Sequence, residues 1–284
     1  MTYLDHIRRC NAFDPSRYRP FIVDGRRLGS VRADIAARLA DFPDVFTVTD
    51  ALVAISPRQS DFDSRTAAIG MTMMRLAQAG HLPPPRRELY PVVGQWGEQP
   101  VFLLDRAWVS ALGAKAFGLH VNGIVRDGAT TRLWIGKRAQ DREVEPGKLD
   151  NMIAGGQPAG LTLGENLIKE AGEEAGLSPA LASQARPVGA LTYCMEGELG
   201  LKPDTMFLYD LEMPADLIPR NTDGEISGFT LMDLEEVAER VRTSFDFKFN
   251  VALVLIDLLI REGRLNPDSE PDYMALVQGL RTPL

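Results

Sequence analysis

Glu170, Glu173 and Glu174 are spaced i, i+3 and i+4, which on a helix places three carboxylates along one face. Like charges so close repel one another, by about a few tenths of a kcal/mol per exposed pair, and more in less polar surroundings. A divalent cation held by hard oxygens converts that repulsion into coordination. The competing reading is a solvated acidic face relieved by Lys169. The segment just upstream separates the two. Gly155 and Gly156 end an apolar strand and Gly160 precedes the helix, so backbone and anion can come close and free amides can meet a phosphate. Acidic face and glycine approach together favour a metal-bound diphosphate.

Punctuation fixes the helix on which these carboxylates ride. Thr162 with Glu165 three residues later forms a capping box. Gly176 offers a left-handed exit, and Pro179 prevents continuation. A helix of about 13 residues is expected between them, an ordinary length.

These residues resemble the Nudix box, G-x5-E-x7-R-E-U-x-E-E-x-G-U with U aliphatic. Its right-hand half is met by Lys169-Glu170-Ala171-Gly172-Glu173-Glu174-Ala175-Gly176-Leu177, with lysine for the usual arginine. Gly155 takes the first glycine position, and Leu161 stands where the first glutamate belongs. Glu165, one turn before Lys169, is expected to substitute through an i, i+4 pair. The wider sequence is similar to the Nudix segment fused to thiamine pyrophosphokinase in some fungi. The likeness runs through HVNG at 120–123, LWIGKR at 133–138, PGKLDNMIAGGQPAG at 146–160, ENLIKE at 165–170, YDLEMP at 209–214 and DGEISGF at 223–229.

The resemblance implies an α/β fold, a Nudix-type α/β/α sandwich with a mixed sheet, and Mg²⁺- or Mn²⁺-assisted hydrolysis of a small organic diphosphate. For this branch it implies oxidised or otherwise damaged thiamine diphosphate as substrate, cleaved to the monophosphate. Glu170, Glu173 and Glu174 are the expected metal ligands, with Glu173, Glu174 and Glu225 handling the chemistry. Arg138, Gly155, Gly156, Gln157, Trp134 and Tyr193 are the expected substrate-binding residues; Trp134, Tyr193 and Phe229 are candidates to stack on a ring. Arg138 and Lys137 point to opposite faces of a strand, and Arg138 is taken as the one meeting phosphate. His120 and Asn122 are placed at the pocket wall or in a satisfied core. Two rival readings are a Nudix pyrophosphatase of nucleotides or nucleotide sugars, and a Nudix-like ligand-binding module, which Leu161 and Lys169 would favour. Isopentenyl diphosphate isomerase chemistry would need a cysteine in a suitable motif, and neither cysteine has one.

The remaining elements must position this helix. Asp24-Gly25 in FIVDGRRLGSV reads as a hairpin turn, VRADIAARLADF and DSRTAAIGMTMMRLAQAG as helices, and VFTVTDALVAI as extended. Met71, Met73 and Met74 are expected in the core. HLPPPRREL reads as a surface connection before two further strands. These make a smaller α+β N-terminal domain, 1–112. Residues 113–284 form the Nudix domain, strand-rich and closed by helices that include the apolar run VALVLIDLLI.

Composition bounds the function from the other side. A net charge of −8 disfavours a nucleic-acid polymer, which rewards a broad basic surface. No run is long and apolar enough for a membrane span, and the N-terminus does not read as a secretory signal. Cys10 and Cys194 are too few for a disulfide framework or zinc spacing, so a cytoplasmic enzyme is expected, with room for a homodimer. Three histidines make no metal cage, and neither a G-x-S-x-G elbow nor a P-loop is present.

Overall fold

The computed structural model describes residues 1–128 and 130–284. After a first helix, α1 (Tyr3–Cys10), the chain builds β1 (Tyr18–Val23) and β2 (Arg26–Arg32), then α2 (Ala33–Leu39), β3 (Phe46–Val48), β4 (Val53–Ile55) and α3 (Phe62–Gln78). The four strands form one sheet in the order β2-β1-β4-β3. The β1–β2 hairpin turns at Asp24 and Gly25, both with positive φ (48° and 76°), the geometry an Asp-Gly pair favours. A second hairpin, β5 (Leu89–Val92) with β6 (Phe102–Asp105), joins them. Phe21, Leu39, Ile69, Met73 and Phe102 form the core of this unit. Met71 and Met74 are exposed instead, because the face of α3 that carries them is not covered.

The second sheet holds the larger half. Its strands are β7 (Ala116–Asp127), β8 (Thr130–Arg138), β9 (Leu149–Asp150), β10 (Ile153–Gly156), β11 (Arg186–Glu196), β12 (Leu201–Glu212) and β13 (Ile226–Asp233). The main order is β11-β12-β7-β8-β13, with β10 on β7 and β9 on β8. Only β12 and β7 run parallel among these neighbours, so the sheet is mixed. Alternation along the strands then divides two cores. Leu119, Val121 and Val125 of β7 pack with Leu167 and Ala171 of α4 (Leu163–Ala175) on one face. Ile124 of β7, with Leu133 and Ile135 of β8, packs against the helices of the other. After α5 (Pro179–Ala182), those helices are α6 (Leu234–Thr243), α7 (Phe249–Arg261) and α8 (Tyr273–Gly279). The result is an α/β/α sandwich.

The apolar run at 251–260 is the interior of α7, buried from Val251 to Leu259. No helix among the described residues is long and apolar enough to cross a membrane. The first helix departs from the sequential division at residue 112. Tyr3, Ile7 and Cys10 of α1 lie in the core with α7, and Tyr3 Oη donates to the Ala238 carbonyl at 3.0 Å. The chain therefore starts in the second half's core before it builds the first.

Candidate active site

Helix α4 forms between the signals that bracket it. Thr162 Oγ1 accepts from the Glu165 amide at 3.2 Å, and Glu165 Oε2 accepts from the Thr162 amide at 2.8 Å. Such a cap stabilises a helix start by about 1 kcal/mol. Gly176 closes the helix with φ 64°. Glu165 is thereby committed to the cap and does not pair with Lys169. Lys169 Nζ instead sits between Glu170 (3.1 Å) and Glu173 (2.8 Å).

The apolar residues Leu167 and Ala171 turn α4 onto the sheet, and this rotation divides the three glutamates. Glu174, 6% exposed, is carried inward and accepts from the Ala154 amide of β10 at 2.7 Å. Glu170 lies over Gly155: a Cβ there would stand 2.5 Å from the Glu170 carboxyl carbon. Glu173 faces outward with Lys169. Among the described residues no three His, Cys, Asp or Glu side chains gather into a ready metal cage.

Glu225 reaches the same region through a docked loop. Thr222 donates from its amide (3.0 Å) and hydroxyl (2.8 Å) to the Glu173 carbonyl, and the Arg220 amide donates to Ala175. Arg142 pairs with Glu225 at 2.8 Å. Burial raises the Glu174 carboxyl well above its usual range; the Ala154 N–H opposes this, while Asp150, Glu170 and Glu225 add to it. Glu170 is raised mainly by burial, with Glu173 and Glu88 contributing and Lys169 opposing. This converging charge, in hard oxygens only, suits a divalent cation of the magnesium type.

The other residues singled out from sequence have different work. Gly155 leaves space for Glu170, and Gly156 for Tyr90, whose hydroxyl would stand 1.5 Å from a Cβ. Two of the loop amides are bonded to backbone: Gln157 N–H to Phe117 O and Ala159 N–H to Leu89 O, both at 2.8 Å. Gln157 is buried, and its side chain donates to the Leu161 carbonyl at 2.7 Å, latching the loop. Trp134 is core beneath α4, with Phe229 packed against the same cluster. Tyr193 lies in the opposite core, its hydroxyl donating to Asp204 at 2.7 Å. Trp134 and Tyr193 are both buried.

Arg138 is the clearest correction. It is buried, pairs with Asp150 at 2.8 Å and donates twice to the Val144 carbonyl, while Lys137 takes the solvent side. The strand alternation held, but the phosphate assignment took the wrong face. A polar seam runs nearby: His120 Nδ1 donates to Asn151, Asn151 to Asn122, and Asn122 to Asp210, each at 2.9 Å. Arg261 closes it on Asp210. Sequence reasoning named His120 and Asn122 but not their links to Asn151 and Asp210, and it missed Tyr90, which the first unit brings to Gly156, with its neighbours Glu88 and Arg106.

Nudix hydrolase 20, chloroplastic, from Arabidopsis thaliana is 36% identical over 290 residues, covering 98% of this chain and 77% of that protein. The chain belongs to the Nudix hydrolases. Nudix hydrolase 24, chloroplastic, from the same plant is likewise 36% identical, over 283 residues, with the same coverage of each protein. A family model described as a domain of unknown function (DUF4743) matches residues 2–116. The solved structure of DR0079 from Deinococcus radiodurans is 21% identical, with a TM-score of 0.46, covering 59% of this chain and 97% of that one.

The seam makes a pH prediction for this Nudix hydrolase. Burial, joined by the Lys248 charge and opposed by Asp150 and Asn151, pushes the His120 pKa down to about 4. Between about pH 6.5 and pH 4 the unfolded chain holds a proton that folded His120 refuses, so stability falls as the medium is acidified. The loss is on the order of 3 kcal/mol by pH 4. Urea titrations at pH 7 and pH 4.5 should show it, with a shallower dependence in His120→Gln. Equal slopes in the two proteins would remove His120 as the cause.

Proposed function

We propose that this chain is a Mg²⁺- or Mn²⁺-dependent Nudix hydrolase that cleaves the phosphoanhydride of a small organic diphosphate, with oxidised or otherwise damaged thiamine diphosphate giving the monophosphate. The observation that carries the reading is Glu174: it is buried and hydrogen-bonded to the glycine strand, burial and three neighbouring carboxylates disfavour its charge, and a divalent cation would offset that cost. Glu170 and Glu174 would hold the ion, joined by Glu173 once Lys169 gives way. A bound ion of this kind neutralises phosphate oxygens and acidifies a water. Glu174 is fixed by the Ala154 amide and Glu170 by its seat on Gly155, so both are oriented before substrate arrives. Glu225, paired with Arg142 on its docked loop, would take a proton from the attacking water.

The thiamine reading rests on the sequence likeness across residues 115–260. A cytoplasmic location is part of the same proposal, consistent with Cys10 and Cys194 being buried and unpaired. The test is a panel of diphosphates assayed with Mg²⁺, quantifying both monophosphate and phosphate. Oxidised thiamine diphosphate should show the highest kcat/KM. A clear preference for a nucleotide or nucleotide sugar would overturn the substrate, and no turnover of any member alongside tight binding would make the protein a ligand-binding module.

A further inference from the structure

A diphosphate arriving at these carboxylates needs cations from the protein, and several groups near the site already have partners. Arg138 is locked on Asp150, the Gln157 and Ala159 amides are bonded to backbone carbonyls, and Lys169 is held by Glu170 and Glu173. One further guanidinium comes from the first unit. Arg106 follows β6, and its amide donates to the Glu88 carbonyl at 2.9 Å. Its side chain meets the Glu88 carboxylate at 2.8 Å and is 39% exposed. Tyr90, in β5 two residues after Glu88, lies beside Arg106 and presses its hydroxyl against Gly156. The Leu89 carbonyl accepts from Ala159, so β5 is bonded directly to the glycine loop. Arg106 is within electrostatic reach of Glu225, and Glu88 within reach of Glu170. The wall formed by Glu88, Tyr90 and Arg106 therefore borders the carboxylate site.

We propose that the N-terminal unit completes the active site, with Arg106 as the guanidinium that grips the substrate's terminal phosphate and Glu88 as the carboxylate that parks it until substrate binds. The inference rests on the diphosphate-hydrolase reading above. Arginine's planar fork suits two phosphate oxygens, and exchange from Glu88 to phosphate keeps it paired throughout. Tyr90 acts as a positioning residue: filling the space above Gly156, it sets the distance between wall and loop. A simple surface ion pair is the alternative, and it predicts that losing either partner has the same small effect.

The two accounts separate in the full-length chain with Mg²⁺ and inorganic pyrophosphate as the probe, followed by calorimetry. Arg106→Ala should weaken pyrophosphate binding by about 10- to 100-fold, the range for a charge-assisted hydrogen-bond pair, with Arg106→Lys between it and the wild type. Glu88→Gln should bind at least as tightly as the wild type, because the competing carboxylate is gone. On any diphosphate that the wild type hydrolyses, Arg106→Ala should raise KM by more than it lowers kcat. Unchanged affinity and KM in Arg106→Ala, or equal losses in Arg106→Ala and Glu88→Gln, overturn the inference and leave hydrolysis standing. A wild-type chain that neither binds pyrophosphate nor hydrolyses any diphosphate overturns it together with the reading beneath it.

Discussion

Glu174→Gln should lower kcat by about 10²- to 10⁴-fold, the range for losing a group that handles charge at a reacting centre, while the protein melts no earlier than the wild type. The two halves of this result come from one environment. Glutamine keeps an acceptor for the Ala154 N–H, so the tie between α4 and β10 survives. It also removes a carboxylate that burial and the charges of Asp150, Glu170 and Glu225 all disfavour. A charge that the fold itself disfavours is the kind a bound cation would offset. Steady-state kinetics on the best substrate and a thermal melt with and without Mg²⁺ check both halves. In the wild type Mg²⁺ should raise Tm, and in the variant that gain should shrink. A variant that retains kcat within tenfold, or one that melts much earlier, would assign Glu174 a structural role instead.

What could be read from sequence followed how local each determinant is. Helix α4 runs from Leu163 to Ala175 because Thr162, Glu165 and Gly176 act on neighbours within one turn. The Asp24-Gly25 turn is equally local. The i, i+3, i+4 spacing brings the glutamates onto one side of α4, but that side spans a wide arc. Which of them turns inward depends on how Leu167 and Ala171 seat the helix on the sheet, so Glu174 is buried and Glu173 is not. Arg138 shows the same limit on a strand. Alternation separates it from Lys137, yet nothing local says which face meets solvent. The wall of Glu88, Tyr90 and Arg106 lay further out of reach, because only the tertiary fold brings β5 to Gly156 and Ala159. The bond from α1 to α6 joins residues 235 positions apart, a pairing that no local signal specifies.

Arg138→Met should destabilise the fold by about 3–5 kcal/mol, the penalty for stranding one charge of a buried pair. Asp150 is 2% exposed, and burial alone would raise its pKa; Lys248, His120 and Arg138 together hold it below its ordinary value. Without Arg138 the remaining partner within ion-pair distance is Lys248, at 3.6 Å, and the Val144 carbonyl loses both its donors. The double variant Arg138→Met with Asp150→Asn should recover much of the loss, since it removes the second charge but keeps an acceptor for the Asn151 amide. Urea unfolding of the wild type, the two single variants and the double variant at pH 7 measures the coupling. The same proteins distinguish an internal pair from the phosphate grip expected of Arg138 from sequence. A grip predicts a raised KM in a protein of normal stability, whereas the internal pair predicts lost stability that the second substitution repairs. If Arg138→Met unfolds within 1 kcal/mol of the wild type yet binds pyrophosphate poorly, Arg138 belongs back at the phosphate and the case for Arg106 is weakened with it.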